Sequence, residues 1–350
     1  MASNTIPTSD NAQIEHTTRN LWRKGVISQV LLARPLMAKL YDRHRFRPDS
    51  GEKIRQTVKT SEVDGLLQTY TADQPMPGGR QTNLDRFVFE QKRAQLPISY
   101  DAGEDLFNNG GPNALVNLGR QRAEDAFEGT HIGVYKQFYG SAGTDTGTDF
   151  NSVIQALTHD TASETYGNVT RNYGTSVNDW AQGADLNDFA SDASSQATSY
   201  QISIYLIRRC AMKMREHAKA GASLMFVVGP DLYLKLKMEL DASVKYEAGP
   251  MNLDYGFESF TIDKNIEIVN DYFLTAKNLP AETTPNKWLI GFNADDWQFV
   301  VHPKRAFLRT TPKWQGDVPN GTDSYLGRVM LVGNLVCWRP SGSILLTNVS

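Results

Sequence analysis

Chemistry, if this chain performs any, has to come from a small set of side chains. Its six histidines, His16, His44, His131, His159, His217 and His302, stand singly. None has a second histidine at the spacing that places two metal ligands on one helix face. Cys210 and Cys337 are the only cysteines, too few for a zinc site built on four thiolates or for a disulfide framework. Arg208 and Arg209 beside Cys210 could lower its thiol pKa, but a mid-helix position is more simply that of a buried small hydrophobe. Gly140, Gly143 and Gly147 faintly resemble a phosphate-cradling loop, yet they follow a helical pattern and lack the lysine of a Walker motif; a flexible helix exit accounts for them. Asp295 and Asp296 are adjacent and would point to different sides of a turn, as solvated charges do. No G-x-S-x-G elbow occurs. No catalytic, cofactor-binding or metal-ligating residue is therefore expected, and no cofactor.

The composition bounds the remaining classes. With 350 residues, 40% hydrophobic and 21% charged, the chain can bury a real core and reads as two globular parts. A net charge of -3 argues against a dedicated nucleic-acid binder, whose footprint is strongly basic, so any contact with DNA should be local and weak. The start, MASNTIPTSDN, has neither the basic nor the apolar region of a secretory signal, and no apolar run approaches the ~18 residues of a membrane span. A reducing cytosol is the expected place of synthesis, and no membrane partner is expected.

Charge is distributed unevenly. Between Arg19 and Lys59 stand eleven Lys or Arg against Asp42, Asp49 and Glu52, whereas from Ser141 to Tyr200 eight acids face the single base Arg171. The first twenty or so residues are polar and aperiodic, like an arm ordered by contact with something else. Trp22, Val26, Val30, Leu36 and Leu40 then recur at roughly helical spacing, interrupted by Gly25 and Pro35. This segment is either an amphipathic helix on its own domain or an arm that clasps a neighbour.

EKIRQTVKT (52–60) and LDRFVFEQK (84–92) alternate as strands do and are joined by a polar excursion through Pro75, Pro77, Gly78 and Gly79. An extended hairpin of this kind is marginal unless it packs on a partner. The longest helical pattern runs from about Asn113 to Phe138, and its Gly119, Gly129 and Gly133 suggest close approach of another backbone. A second helix is expected from about Ala197 to Ala220, ending at Gly221, then a buried strand LMFVV and a helix through Leu232, Leu236 and Leu240. The remainder is strand-rich: FESFTI, IEIVND, WLIGF, WQFVVH, GRVMLVGNLVCWR and SILLTNV. Helices and strands do not alternate regularly, so the class is α+β with mixed sheets.

The order of these features, a polar arm, an extended hairpin, a long helix, a Ser/Thr/Asn-rich region and a strand-rich return, resembles the Hong Kong 97-type major capsid fold of tailed bacteriophages over nearly the whole chain. Local strings add to the resemblance. FNSVIQAL followed by ETYGNVTRN, with Trp180 downstream, is similar to the helix-plus-loop opening of the capsid axial domain. FVVGPDLYLKL resembles the strand and helix that follow, and GFESFTIDKNIEIVND the late hairpin whose apolar strand ends in Asp271.

The resemblance implies an N-terminal arm (1–50), an extended loop lying over an adjacent subunit (51–100), a peripheral domain with the spine helix (101–140), a mixed α/β axial domain (141–286), and peripheral strands with a return to the axial domain (287–350). It implies a non-enzymatic shell subunit that assembles with copies of itself into pentamers and hexamers around phage double-stranded DNA, in a virion built in the host bacterial cytoplasm. Portal and decoration proteins would be partners. The family's amino-terminal scaffold domain has no room before Trp22, so a separate scaffolding protein is expected. Residues 60–83 contain no Lys, so the covalent crosslinking of some members is not expected. The basic stretch from Arg19 to Lys59 would pair with acidic patches on neighbours and touch packaged DNA more weakly. Two other classes fit less well: an encapsulin-type nanocompartment shell, which shares the fold, and a soluble two-domain enzyme, for which no convergent set of polar residues is visible.

Overall fold

A computed structural model describes residues 34–41, 46–48, 51–60, 67, 83–104, 118–140, 145–158, 164–171, 179–184, 186, 200–218, 221–243, 259–263, 265–282, 284–316 and 321–350. In chain order the elements begin with helix α1 (Pro35–Tyr41) and strands β1 (Phe46–Pro48), β2 (Lys53–Lys59), β3 (Leu84–Glu90) and β4 (Lys92–Asp101). Helix α2 (Leu118–Tyr139), the short α3 (Val153–Leu157) and strands β5 (Glu164–Tyr166) and β6 (Val169–Arg171) follow. Next come α4 (Ile204–His217), β7 (Leu224–Val228), α5 (Pro230–Ser243), β8 (Ser259–Ile262) and β9 (Ile266–Asn270). The chain returns through β10 (Leu289–Asn293), β11 (Trp297–Val301), β12 (Leu308–Arg309), β13 (Lys313–Trp314), β14 (Ser324–Cys337) and β15 (Ile344–Leu346).

Two compact units can be distinguished. The described part of the smaller lies within Pro97–Ala126 and Thr311–Gly327; the larger comprises Leu32–Leu96, Phe127–Thr310 and Arg328–Ser350. In the smaller unit β13 pairs antiparallel with the start of β14. Tyr100 stacks on Tyr325 at 5.1 Å, and Arg122 binds Glu104 at 2.9 Å.

The larger unit is organised by a five-stranded mixed sheet in the order β15-β10-β7-β9-β8. Side chains of a strand alternate between faces, and β7, LMFVV, is buried along its whole length. Leu224, Phe226 and Val228 enter one core with Leu206, Ile207, Cys210 and Met214 of α4 and Leu232, Tyr233, Leu236 and Leu240 of α5. Met225 and Val227 enter the other, with Tyr135, Phe138 and Tyr139 of α2 and Phe299 and Val301 of β11. Both helices therefore cover one face of the sheet.

A second sheet runs β1-β11-β14-β12, with β4 and β13 also on β14. Inside it Gly333 lies opposite Val301, where a Cβ would sit 2.3 Å from the Val300 carbonyl oxygen. Only a residue without a side chain fits this approach.

Most expected elements are present, with four differences. The second helix starts at Ile204, capped by the Ser203 hydroxyl, which accepts from the Leu206 amide at 3.1 Å. Before it, Tyr200 bridges Val349 in an extended conformation. Ser203 is the type of residue that stops a helix at its N-terminus, so the helical pattern does not extend back from 204 through the described residues. The helix closes at a C-cap on Ala218, before Gly221. β4 was not anticipated at all. Finally, among the described residues no other backbone approaches the glycines of α2: Gly119 faces the Tyr100 ring, Gly129 faces a Leu96 methyl at 3.2 Å, and nothing lies within 4 Å of a Cβ at Gly133.

The basic segment resolves in part. Leu36, Met37 and Leu40 of α1 are buried in the chain's own core. Lys39 meets Glu267 of β9 at 3.6 Å, and β1 adds a parallel strand to β11. Residues 35–41 thus form the amphipathic helix on its own domain. Residues 1–33, Arg43 and Arg45 lie outside the described residues.

Replacing Gly333 with Ala should force β11 and β14 apart and cost about 1–3 kcal/mol. A chemical-denaturation midpoint equal to the native one would refute this.

Candidate functional site

The described residues offer chemistry little. No group of three His, Cys, Asp or Glu side chains among them is placed to hold a metal ion, and no described helix is long and apolar enough to cross a membrane. His131 stacks on Phe307 at 4.2 Å, and burial, followed by the nearby Arg34 charge, pushes its pKa down to about 4. The Nδ1 of His302 accepts from the Lys304 amide at 3.2 Å. His217 is exposed, and its carbonyl accepts from Arg339 at 2.8 Å. His16, His44 and His159 lie outside the described residues. Cys210 and Cys337 are buried; burial raises the Cys210 thiol to about 12 despite Arg209 and raises Cys337 as well. Asp295 is exposed as expected, but Asp296 is half-buried and accepts from the Asn293 side-chain amide at 2.5 Å. It shapes the β10–β11 turn.

What the residues build is a seat for the β2–β3 hairpin. Seven residue pairs run from Lys53 opposite Glu90 to Lys59 opposite Leu84, a ribbon of roughly 20 Å. Its outer end is exposed: Lys59, Asp85 and Arg86 face solvent and Leu84 keeps 69% of its surface. Of residues 61–82 only Leu67 is described, and it is exposed. Such a two-stranded ribbon has no stability of its own, so its root must be held.

The root is held by aromatic packing. Phe87 and Phe89 are fully buried. Phe87 lies 5.8 Å from Tyr166 and 5.2 Å from Trp180; Phe89 lies 5.1 Å from Tyr166 and 5.8 Å from Trp338. Tyr166 comes from the β5–β6 hairpin, whose turn residues Gly167 and Asn168 both have positive φ, 60° and 62°, as a two-residue hairpin of this hand requires. A Cβ on Gly167 would strike Phe87 at 2.5 Å, and the Gly167 carbonyl accepts from Val88 at 2.8 Å. Beneath them Arg171, the only base of its acidic segment, is buried against the Tyr166 ring. It donates to the carbonyls of Ala156 at 2.8 Å, Ala181 at 2.7 Å and Gln155. Tyr166, Gly167 and Arg171 of the string ETYGNVTRN and Trp180 thus converge on the hairpin root; Asn172 lies outside the described residues.

Polar groups lock the same place from the other side. Asn334 of β14 donates to the Glu90 carbonyl at 2.9 Å and to Asn151 at 2.8 Å, and Asn151 donates to Asp145 at 2.6 Å. Lys92 donates its ammonium to the carbonyls of Asp145, at 2.8 Å, and Gly147, and its burial lowers its pKa against the pull of nearby Asp145. Gly147 is therefore a carbonyl acceptor for a lysine, not part of a phosphate cradle. Gly143 lies outside the described residues.

Helix α2 is fastened by a buried carboxylate. Asp271 is wholly buried; one of its oxygens accepts from Tyr135 at 2.6 Å and Tyr139 at 3.0 Å, the other from the Phe273 amide at 2.8 Å. Burial raises its pKa to about 6 against these hydrogen bonds. The sequence marked Asp271 as a strand end; its pairing with two tyrosines 136 and 132 residues away had no local signal.

No protein-family model matches the chain, and no curated protein matches it. Solved structures do. A chain of the cyanophage A-1(L) capsid asymmetric unit superposes with a TM-score of 0.68 at 11% identity, covering 97% of this chain and 99% of that one. A chain of the capsid of a native GTA particle gives 0.55 at 9% identity with both chains fully covered. The holo-SrpI encapsulin complex from Synechococcus elongatus gives 0.57 at 9% identity, covering 97% and 95%. The fold is α+β, of the Hong Kong 97 capsid type.

Asp271 makes stability depend on pH. A folded pKa of about 6 exceeds the unfolded value near 4. The carboxyl's contribution is thus fully present below about pH 4 and lost as pH rises through about 6, roughly 3 kcal/mol in all. Asp271→Asn, measured on unassembled subunits, should gain stability relative to the native protein as pH is raised from 4 to 7. A gap that stays constant across that range would show that the group does not titrate there.

Proposed function

We propose that this chain, having the Hong Kong 97-type fold throughout, is a major capsid protein. Copies would assemble as pentamers and hexamers into the icosahedral head of a tailed phage around double-stranded DNA. The observation that carries the proposal is the β2–β3 ribbon: firmly seated at its root, exposed over its outer half and unable to be stable alone. A neighbouring subunit supplies the missing partner. Copies linked in this way make heterologous contacts, which close into rings when the rotation between neighbours allows it.

In this assignment residues 1–50 form the arm, 51–100 the extended loop, 101–140 the peripheral domain with the spine helix, 141–286 the axial domain, and 287–350 the peripheral strands and the return to the axial domain, whose sheet β10 and β15 join. The role is structural, not catalytic. A separate scaffolding protein, a portal and a decoration protein are its expected partners, and DNA contact is weak and non-specific. Assembly in the host bacterial cytoplasm would place the product in the virion. The full-length likeness to an encapsulin complex favours one second reading, a nanocompartment shell that encloses protein.

Negative-stain electron microscopy and size-exclusion chromatography of the protein, alone and with its scaffold, test the assembly. Closed shells or rings are expected, and nucleic acid inside virion-derived shells; protein cargo would turn the assignment to the nanocompartment, and a persistent monomer would sink both.

The absence of Lys from residues 60–83 extends the proposal to a shell held without covalent links. Boiled shells should run at the monomer mass on a denaturing gel, and a ladder of multimers would overturn that extension.

A further inference from the structure

Large apolar side chains exposed on the described surface are not scattered evenly. Four of them sit on two neighbouring helices: Tyr205 at 73% and Met212 at 60% exposure on α4, Leu234 at 59% and Met238 at 73% on α5. On α4 the exposed positions Tyr205, Arg208, Met212 and Arg215 recur at steps of three and four, and on α5 Asp231, Leu234, Lys235 and Met238 do the same. Each set is one stripe of its helix. Both helices bury their opposite stripes in the same core on the same face of the sheet, so the two exposed stripes share one outward surface. They adjoin where the Ile204 amide donates to the Glu239 carboxylate at 3.1 Å. A helix of a globular protein ordinarily carries polar residues on its outward face; these two carry four large apolar side chains there among the charged ones.

We infer that this two-helix surface is buried against a second copy of the chain. The inference rests on the shell reading above, and area selects the occupant. Each helix has 14 residues and is about 21 Å long, so two lying side by side offer roughly 400 Å² in projection. That is about half of what each partner gives to a stable interface of standard size. A partner held by this patch alone would be held weakly; a second copy, which the β2–β3 ribbon also engages, would be held at two places, and linked contacts strengthen each other. The charges around the patch suit such a contact. Arg208 is already matched by Asp263 at 2.8 Å, and the exposed Arg215 and Lys235 are balanced by the exposed Asp231 and Glu239, so two copies can meet without an excess of either sign.

The test uses the full chain. Cys210 and Cys337 are buried, so a cysteine introduced by Met212→Cys or Met238→Cys is the fast-reacting thiol. Maleimide labelling at either position should be rapid in dissociated subunits and slower by an order of magnitude or more in assembled shells. In parallel, Met212→Glu combined with Met238→Glu should give subunits with native circular dichroism that no longer assemble, while Met212→Leu assembles normally. Labelling as fast in shells as in free subunits, or normal shells from the double glutamate variant, would overturn the inference and leave the shell reading intact. A native chain that never assembles would overturn both.

Discussion

A strand that is apolar on both faces has to be covered twice, and most of the larger unit follows from that requirement. Leu224 to Val228 offer no polar side to water, so layers must close over the sheet from above and below. α4 and α5 cover one face; α2, α3, the hairpin root and the second sheet cover the other. At ~25 cal/mol per Å² of buried apolar surface, these two cores are the main source of stability. The seat of the hairpin is one wall of the second core, with Phe87 and Phe89 as members of it. Holding the ribbon and folding the unit are therefore the same event.

Polar groups within that second core fix geometry more than they add stability. Arg171, Lys92, Asn151, Asn334 and Asp271 are all buried, and each binds segments distant in sequence. Arg171 ties β6 to the ends of α3 and of the turn at Asp179–Ala181. Asn334 ties β14 to the last residue of β3. An apolar core tolerates small slips of one layer over another, but a buried cation or carboxylate left without its partners costs several kcal/mol. These bonds fix the direction in which the ribbon leaves the core, as the proposed reach to a neighbour would require.

What the sequence revealed and what it concealed divide along the same line. The strand LMFVV, the three long helices and the alternation of β2 and β3 were legible because their signals are local: apolar runs and periods of two or 3.6 residues. β4 was hidden by its composition. KRAQLPISYD contains Pro97 and two cations, and its strand state comes from pairing with β14. The backward reach of the second helix was misjudged because the bridge from Tyr200 to Val349 outweighs helix propensity there. Arg171 was visible as the lone base of an acidic segment, yet only the fold shows that it donates to the carbonyls of Gln155, Ala156 and Ala181. The hairpin root was readable in outline, since Tyr166, Gly167, Arg171 and Trp180 stood out as a string, but not as a seat for Phe87 and Phe89.

The apolar surface that stays outside separates this chain from an ordinary soluble domain. In its two cores the protein covers large apolar side chains even where that buries polar groups, as at Lys92 and Asp271. On the ribbon and on α4 and α5, Leu84, Tyr205, Met212, Leu234 and Met238 are the most exposed of the described large apolar side chains apart from Leu67. Selection for the monomer alone does not maintain such side chains, because they add nothing to its core and promote association. Their placement at two separate surfaces on one rigid seat suits a molecule whose folded state is completed by contact with others like it. If the proposed assembly holds, a closed ring of copies is an arrangement in which every subunit would cover both surfaces.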